Sequence, residues 1–295
     1  MSESVALDTF IAGAASWALG FVWPGPAARY YPMQNRAKAL VSHAQCWMHL
    51  IEYVILKDMN IDFHAHIIPN VDDGADSIEM SIEMLKELKS QGVDAAVATP
   101  HFYALRQNAA SFLAARDSEA AKLLAALKDS GLVLGKDVPH ILYGAEVAYT
   151  VGIESMNLKE LCISNSNVIL FEMPMREWGL EELDALSSLI YDQHLTVIIA
   201  HFERYADLQT EEIIKRFKKL PLYIQINAHS VIVRSRRKDA LKLFEEYDNV
   251  LIATDAHNMS SRPPHIEKAR KIIAQKLGQN RLDRIDKLSE EIFSL

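Results

Sequence analysis

The chain is poor in cysteine, with only Cys46 and Cys162 among its 295 residues. So few thiols exclude a disulfide-stapled secreted scaffold and are typical of a reducing cytoplasm. A cysteine-based phosphatase would also need an arginine six positions after its nucleophile, where this chain has Glu52 and Val168. We therefore expect a cytoplasmic protein whose chemistry does not depend on a thiol.

Positive charge and long apolar runs are also scarce. The formal net charge is −8, whereas a nucleic-acid-binding face needs an excess of Lys and Arg. We predict no nucleic-acid partner, and interpret the basic run at 234–238 as a solvated helix start. The apolar stretch Phe10–Trp23 is shorter than the roughly 20 residues of a spanning helix. Glu3 and Asp8 precede it, where a signal peptide carries positive charge.

Residues 1–58 show no clear hydrophobic period. Three interpretations stay open: a disordered extension or misassigned start, a segment that binds a membrane surface or a partner, and a folded subdomain. Met59 stands directly before the first strong strand and favours an internal start. We predict an N-terminal extension at 1–58 and one catalytic domain at 59–295. No pattern indicates the oligomeric state.

From Met59 onward, short apolar runs alternate with helical patterns, as in a buried parallel sheet. The predicted strands are Asn60–His64, Ala95–Thr99, His140–Tyr143, Val168–Phe171, Thr196–Ala200, Leu222–Ile226 and Val250–Thr254. The predicted helices include Ser77–Ser90, Ala109–Leu127, Leu180–Tyr191, Glu211–Lys219 and Arg237–Tyr247. Seven such units predict an α/β fold, a seven-stranded (β/α) barrel, with an open doubly wound sheet as the alternative.

Residues of metal-ligand type stand where these strands end, and strand ends of a parallel barrel converge on one face. They are His64 and His66 after the first strand, His101 after the second, Glu146 after the third, His201 after the fifth, and Asp255 and His257 after the last. Asp73, in the turn before Gly74, offers a further oxygen. His64 and His66 are two positions apart, as are Asp255 and His257, so the side chains of each pair share one face of a strand. The number of candidate ligands exceeds the four of a tetrahedral zinc site and therefore predicts two or three metal ions.

Taken singly, each residue also has a structural explanation, such as a helix cap for Asp255 or an ion pair for Glu146. Their shared position at strand ends favours the metal site. Imidazole and carboxylate ligands suit Mn, Fe or Zn, and such ions activate water and neutralise phosphoryl oxygens. Arg204 and Arg262 follow two of the ligands, and guanidinium groups match phosphate oxygens. The histidines interpreted as structural or surface residues are His43, His49, His140, His194, His229 and His265.

Several of these motifs resemble the polymerase and histidinol phosphatase (PHP) superfamily, over about residues 59–280. The resemblance is closest to its bacterial manganese-dependent tyrosine-protein phosphatase branch, which is linked to capsule and exopolysaccharide synthesis. The motifs are Ile61-Asp62-Phe63-His64-Ala65-His66-Ile67-Ile68-Pro69, Val71-Asp72-Asp73-Gly74-Ala75, Ala98-Thr99-Pro100-His101, Gly144-Ala145-Glu146, Ala200-His201-Phe202-Glu203-Arg204-Tyr205, Gln225-Ile226-Asn227-Ala228, Thr254-Asp255-Ala256-His257-Asn258 and Arg262-Pro263-Pro264.

The resemblance implies a distorted PHP-type barrel that holds a trinuclear metal site, with manganese as the expected ion and Fe or Zn as alternatives. The implied ligands are His64, His66, Asp73, His101, Glu146, His201, Asp255 and His257. Arg204 and Arg262 become the phosphate-binding arginines. The implied substrate is phosphotyrosine on a protein, namely a membrane-associated bacterial tyrosine kinase that controls polysaccharide synthesis.

The chain departs from that family in three places. Phe202 replaces a usual proline, His229 stands where a small residue is expected, and residues 1–58 have no counterpart. Three other functions stay open: a small-metabolite phosphatase acting, for example, on histidinol phosphate, an amidohydrolase, and a non-catalytic scaffold. No lysine at a strand end offers the bridging carboxylate of an amidohydrolase, and a pure scaffold has no need of a complete ligand set.

Overall fold

In the computed structural model of this chain, the described residues 59–294 alternate short strands with helices. The strands are β1 Ile61–Ala65, β2 Ala95–Ala98, β3 His101–Phe102, β4 His140–Tyr143, β5 Glu146–Ala148, β6 Val168–Glu172, β7 Thr196–Ile199, β8 Tyr223–Asn227 and β9 Val250–Ala253. The helices are α1 Ile78–Ser90, α2 Ala109–Asp129, α3 Leu180–Tyr191, α4 Glu211–Phe217, α5 Ala228–Ile232, α6 Arg237–Glu246, α7 Ile266–Leu277 and α8 Gln279–Glu291. The predicted extension 1–58, with Cys46, His43 and His49, lies outside the described residues.

All of the strand pairs are parallel. One sheet has the order β1-β2-β4 and the other β3-β5-β6-β7-β8-β9. The α/β fold with parallel strands is therefore confirmed, and each predicted strand agrees with an observed one to within one residue at either end. The short strands β3 and β5 were not predicted, and each continues the strand before it after a two-residue break.

The two sheets are connected at both of their sides. β2 leads into β3 across Thr99 and Pro100, and β4 leads into β5 across Gly144 and Ala145. Proline has no N–H to donate to a ladder, which explains the first break. On the other side, the segment after β9 reaches β1: the N–H of His66 donates to the carbonyl of Ala256 at 2.8 Å.

Alternate residues of the strands pack into separate clusters. Ile61 and Phe63 of β1, with Val168 and Leu170 of β6, belong to a cluster that also contains Leu288 of α8. The residues between them, such as Ile169 and Phe171, pack in the cluster beneath helices α3 and α6. Both faces of the strands are thus buried, which is why their sequences read as continuous apolar runs.

The helices begin where side-chain oxygens accept backbone N–H groups that lack partners inside the helix. Ser77 caps α1 by accepting from the N–H of Met80 at 3.2 Å, and Asn108 caps α2 by accepting from Ser111 at 2.8 Å. Within residues 59–294, no helix combines the length and the apolar character needed to cross a bilayer.

A buried carboxylate joins the first strand to the last. Asp62 is fully buried. Its Oδ1 accepts from the backbone N–H of Thr254 at 2.9 Å, and its Oδ2 accepts from the Thr254 hydroxyl at 2.5 Å. Burial raises the pKa of Asp62 to about 6, although the hydrogen bonds from Thr254 oppose that rise. The contact adjoins the hydrogen bond from the Asp255 N–H to the His64 carbonyl at 2.8 Å, and both bonds hold β1 beside the end of β9.

We expect Asp62→Ala to lower the free energy of unfolding by about 2 kcal/mol, because two buried donors of Thr254 lose their acceptor. Asp62→Asn keeps one acceptor oxygen and should cost less. The folded pKa lies above the unfolded value, so the stability that Asp62 contributes at low pH is lost as the pH rises from about 4 through about 6. Urea denaturation across this range measures both effects. An Asp62→Ala protein as stable as wild type would contradict the assignment.

Candidate metal centre

The predicted ligands meet at the carboxyl ends of the strands. His64 lies in β1 and His66 directly after it, while Asp255 and His257 follow β9. The others come from the neighbouring strands: His101 opens β3, Glu146 opens β5 and His201 follows β7. Asp73 reaches the same place from the turn after β1, where its Oδ1 lies 3.4 Å from the Nε2 of His101. The structure therefore brings all eight predicted ligands together.

Glu146 is the centre of this cluster and is fully buried. Its Oε1 lies 2.8 Å from the Nε2 of His201. Its Oε2 lies 3.2 Å from the Nε2 of His64, 3.3 Å from the Nε2 of His66 and 2.9 Å from the Nδ1 of His101. Two ligand atoms that share an ion, each about 2.0–2.2 Å from it, lie roughly 3 Å apart. The spacing around Glu146 matches that of atoms sharing an ion.

Three groups of side chains offer ligand atoms that all lie within 4.8 Å of one another. They are His66, Asp73, His101 and His257; His64, His66 and Glu146; and His101, Glu146 and Glu172. Asp255 adjoins the second group, because its Oδ1 lies 3.4 Å from the Nε2 of His64. His201 adjoins the third, with its Nε2 3.6 Å from an oxygen of Glu172. Since the groups share members, the arrangement suits several neighbouring ions.

The outer nitrogens of four histidines are held by other parts of the protein. The Nδ1 atoms hydrogen-bond as follows: His64 with Gln225 at 3.1 Å, His66 with Asp72 at 2.6 Å, His201 with the Tyr205 hydroxyl at 2.8 Å, and His257 with the Asp255 carbonyl at 3.0 Å. Each Nε2 is thereby directed into the cluster. Metal-binding histidines characteristically have their second nitrogen fixed in this way.

The electrostatics of the cluster fit divalent ions. Glu146 Oε2, His101 Nδ1 and His257 Nε2 are buried without a hydrogen-bond partner in the described chain, although such atoms are normally satisfied. The 2.9 Å contact between the first two lacks hydrogen-bond geometry. Burial opposes protonation of His66, yet its hydrogen bond with Asp72 and the negative charges of Asp72 and Glu146 raise its pKa to about 10. The carboxylates thus favour positive charge here, which a bound ion supplies, and the nitrogen and oxygen donors suit Mn, Fe or Zn.

Two ligand-type residues have a left-handed backbone. The φ angle is +33° at His201 and +53° at Asp255. Residues other than glycine rarely adopt such angles, which cost on the order of 1–3 kcal/mol and occur mostly at functional sites. At Asp255 the conformation is held by its backbone N–H, which donates to the His64 carbonyl at 2.8 Å. The side chain accepts a further bond from the Asn227 amide at 2.8 Å.

Both predicted arginines reach the cluster and bind the same carboxylate. Arg204 donates to Oδ2 of Asp255 at 2.5 Å, and Arg262 donates to Oδ1 at 2.8 Å. Their side chains are 34% and 36% exposed, so both guanidinium groups also face the solvent. Burial opposes the ionisation of Asp255, but the neighbouring His64 and His66 hold its pKa below the usual value. The site therefore places two guanidinium groups next to a cluster of imidazoles and carboxylates.

Sequence reasoning missed two acidic residues. Glu172 ends β6, one position past the predicted end of that strand, and burial followed by the charge of Glu146 raises its pKa to about 7. Asp72 accepts from the backbone N–H groups of His101 at 2.9 Å and of Gly74 at 2.9 Å. The signal for Glu172 was its place at a strand end, which it shares with the predicted ligands.

The two departures at Phe202 and His229 leave the cluster intact. Phe202 is fully buried and stacks on Phe217, with ring centroids 5.0 Å apart, so it fills the core behind His201. His229 is exposed on α5, outside the candidate ligand groups of the described chain. Its pKa is lowered by partial burial and then by the neighbouring Arg236, His265 and Arg262.

Residues 60–290 match the family model described as capsular polysaccharide synthesis, CpsB/CapC. The chain belongs to the CpsB/CapC family. Tyrosine-protein phosphatase CpsB of Streptococcus pneumoniae is 32% identical over 232 residues, covering 74% of this chain and 91% of that protein. CpsB of Streptococcus agalactiae serotype III (strain NEM316) is 29% identical over 236 residues, covering 76% and 94%. The predicted resemblance is thus confirmed.

The fold is shared with a solved member of the CpsB/CapC family. A crystal structure from the work on YwqE of Bacillus subtilis and CpsB of Streptococcus pneumoniae, described as unique metal-dependent tyrosine phosphatases, superposes with a TM-score of 0.66 at 24% identity. The match covers 80% of this chain and 94% of that one.

Proposed function

We propose that this chain hydrolyses phosphotyrosine on proteins by a metal-dependent reaction. One observation carries the proposal: a cluster of ligand-type side chains centred on the buried Glu146 lies next to two partly exposed arginines, Arg204 and Arg262. Imidazoles and carboxylates around shared oxygens suit ions, while adjacent guanidinium groups suit a phosphoryl group. The CpsB/CapC relatives with this fold are tyrosine-protein phosphatases, which favours phosphotyrosine over other phosphate esters.

The ligands for two or three ions are proposed to be the eight predicted residues, His64, His66, Asp73, His101, Glu146, His201, Asp255 and His257, together with Glu172. Manganese is the proposed ion, with Fe or Zn as alternatives. Bound ions supply a nucleophile from water at neutral pH and neutralise charge on the phosphoryl oxygens. The unpartnered atoms of Glu146, His101 and His257 support this assignment.

The protein groups hold and orient the substrate. Arg204 and Arg262 bind phosphoryl oxygens and orient the ester. Glu172 lines the same cavity as Arg204, where its carboxylate would hold an ion rather than a proton. The departing phenolate has a conjugate acid with a pKa of about 10, so it leaves readily without a general acid.

The proposal extends to the domain, its fold and its partner. We place the catalytic domain at 59–295 and regard its two sheets as one distorted seven-stranded barrel of PHP type. The continuity of β2 with β3 and of β4 with β5 supports this, as does the bridge between Ala65 and Ala256. The proposed partner is a phosphotyrosine protein in the cytoplasm, a membrane-associated tyrosine kinase of capsule synthesis.

We expect protein stripped with a chelator to lose hydrolysis of a phosphotyrosine peptide and to regain it when manganese is added. Histidinol phosphate, assayed side by side, serves as the small-molecule control. Metal-restored turnover of the peptide alone supports the proposal. Turnover of histidinol phosphate alone would place the chain among metabolite phosphatases, and no turnover of either substrate would contradict phosphatase function.

A further inference from the structure

Two cavities open beside the metal centre, and they differ in chemistry. One, of about 270 Å³, contains His201 and Arg204 of the site. The other, of about 480 Å³, contains Asp73 and His101. We call them the Arg204 cavity and the Asp73 cavity. The two cavities also differ in how well they suit the leaving group of a phosphate ester held at the cluster.

We infer that the Arg204 cavity binds the aromatic ring of the phosphotyrosine, and that Met175 is its specificity-determining contact. This inference rests on the proposed function and names the substrate-binding surface of that site. The cavity is walled by Ala148, Tyr149, Met173, Pro174 and Met175, with Glu172, His201, Arg204 and Tyr205 completing it. The walls of this cavity are mostly apolar and its base is polar, so it matches a phenyl ring that carries a phosphate group.

The Asp73 cavity is less suited to an aromatic ring. Its lining is mostly polar or charged: Val71, Asp72, Asp73, His101, Tyr103, Arg106 and Gln107. The side chain of Asp73 is 65% exposed, and its carboxylate offers no apolar contact to a ring. The ring of Tyr103 is covered on one side by His101 and approached by the Arg106 guanidinium at 4.7 Å. The aromatic ring of the substrate is therefore better buried in the Arg204 cavity.

The wall of the Arg204 cavity is fixed before any substrate binds. The indole N–H of Trp178 donates to the Pro174 carbonyl at 3.0 Å. Gln209 accepts from the Trp178 backbone N–H at 2.8 Å and donates to the carbonyls of Arg176 at 3.0 Å and Tyr205 at 3.1 Å. The wall thus loses little conformational freedom on binding, which improves affinity.

Met175 stands at the mouth of the cavity with 64% of its surface exposed. A methionine side chain is flexible and makes favourable sulfur contacts with aromatic rings. An exposed apolar side chain at the opening of a pocket removes much apolar surface from water when a ring covers it, and this burial favours binding. Substitution of Met175 should therefore alter binding of the ring and leave binding of the phosphoryl group unchanged.

The test compares equilibrium binding of phenylphosphonate and methylphosphonate to the manganese-loaded full chain. We expect wild type to prefer phenylphosphonate by about tenfold, and Met175→Ala to reduce this preference by roughly threefold while methylphosphonate binding is unchanged. Met175→Leu, which conserves volume, should restore the preference. Leu105→Ala is the matched control, because Leu105 is 84% exposed and does not line either cavity.

The outcomes separate this inference from the proposed function. Equal binding of the two phosphonates, or an unchanged preference in Met175→Ala, overturns the ring site alone. Loss of the preference in Gln107→Ala, which alters the Asp73 cavity, would move the ring there and also overturn it. If manganese-loaded protein bound neither phosphonate, the phosphate site itself would fail, and the proposed function with it.

Discussion

Glu146→Gln is expected to lower kcat/KM for a phosphotyrosine peptide by on the order of a thousandfold or more and to remove bound metal. Both carboxylate oxygens of Glu146 face imidazoles, with Oε1 2.8 Å from His201 and Oε2 2.9 Å from His101. The amide carries no charge and replaces one acceptor oxygen with an N–H₂ donor, so it would hold divalent ions much less well. Metal analysis of the purified variant, beside steady-state kinetics, measures both losses.

Glu212→Gln is the matched control for this change. Glu212 is an exposed glutamate of α4 that pairs with Arg216 and does not contact the cluster, and we expect full metal content and activity. Circular dichroism distinguishes loss of metal from loss of fold in the Glu146 variant. If Glu146→Gln kept a full complement of manganese, its place at the centre of the site would be wrong.

Arg204→Ala is expected to reduce kcat/KM by about a hundredfold while the metal content stays at the wild-type level. Arg204 contacts the cluster through Asp255 and otherwise faces the cavity, so its removal costs a phosphate contact rather than a metal ligand. Arg204→Lys should recover only part of the loss, because an ammonium group cannot bind two phosphoryl oxygens as a planar fork. Kinetics and metal analysis on the same preparations provide the measurement.

Arg234→Ala removes an exposed arginine outside the cluster and should change neither quantity. The two large predictions thus differ in kind: Glu146→Gln loses ions and rate together, whereas Arg204→Ala loses rate alone. Loss of metal from Arg204→Ala would show that its pairing with Asp255 serves to hold that ligand. Unchanged kinetics would remove Arg204 from the substrate site.

The sequence predicts the convergence of the ligands because parallel topology makes it unavoidable. Once His64, His201 and Asp255 are placed at ends of parallel strands, they must meet at one edge. Glu172 is not predicted, because the apolar run of its strand ends at Phe171, although its position follows the same rule. Pro100 and Gly144 interrupt the apolar runs before β3 and β5, so the apolar pattern does not predict these short continuations.

Sequence patterns do not predict which residues orient the ligand-type side chains. Gln225 holds both the ring of His64 and the backbone N–H of His201, at 3.1 Å and 2.7 Å. Its motif, Gln225-Ile226-Asn227-Ala228, belongs to the resemblance, but the motif does not indicate which groups the Gln225 side chain holds. Asp72 and Asp73 are adjacent, yet one supports His66 from behind and the other faces the cluster. Such assignments depend on side-chain direction in a turn, which periodicity does not determine.

The bond between Asp62 and Thr254 joins residues 192 positions apart. During synthesis, the first strand therefore emerges from the ribosome long before the segment that completes the cluster. His64 and His66 meet Asp255 and His257 only after the domain has been made, so the proposed ions would bind late in maturation. Contacts so distant along a chain slow folding, while ions that bind only the finished fold stabilise it by mass action. The supply of metal in the cell would then determine how much newly made chain reaches the stable, metal-bound fold.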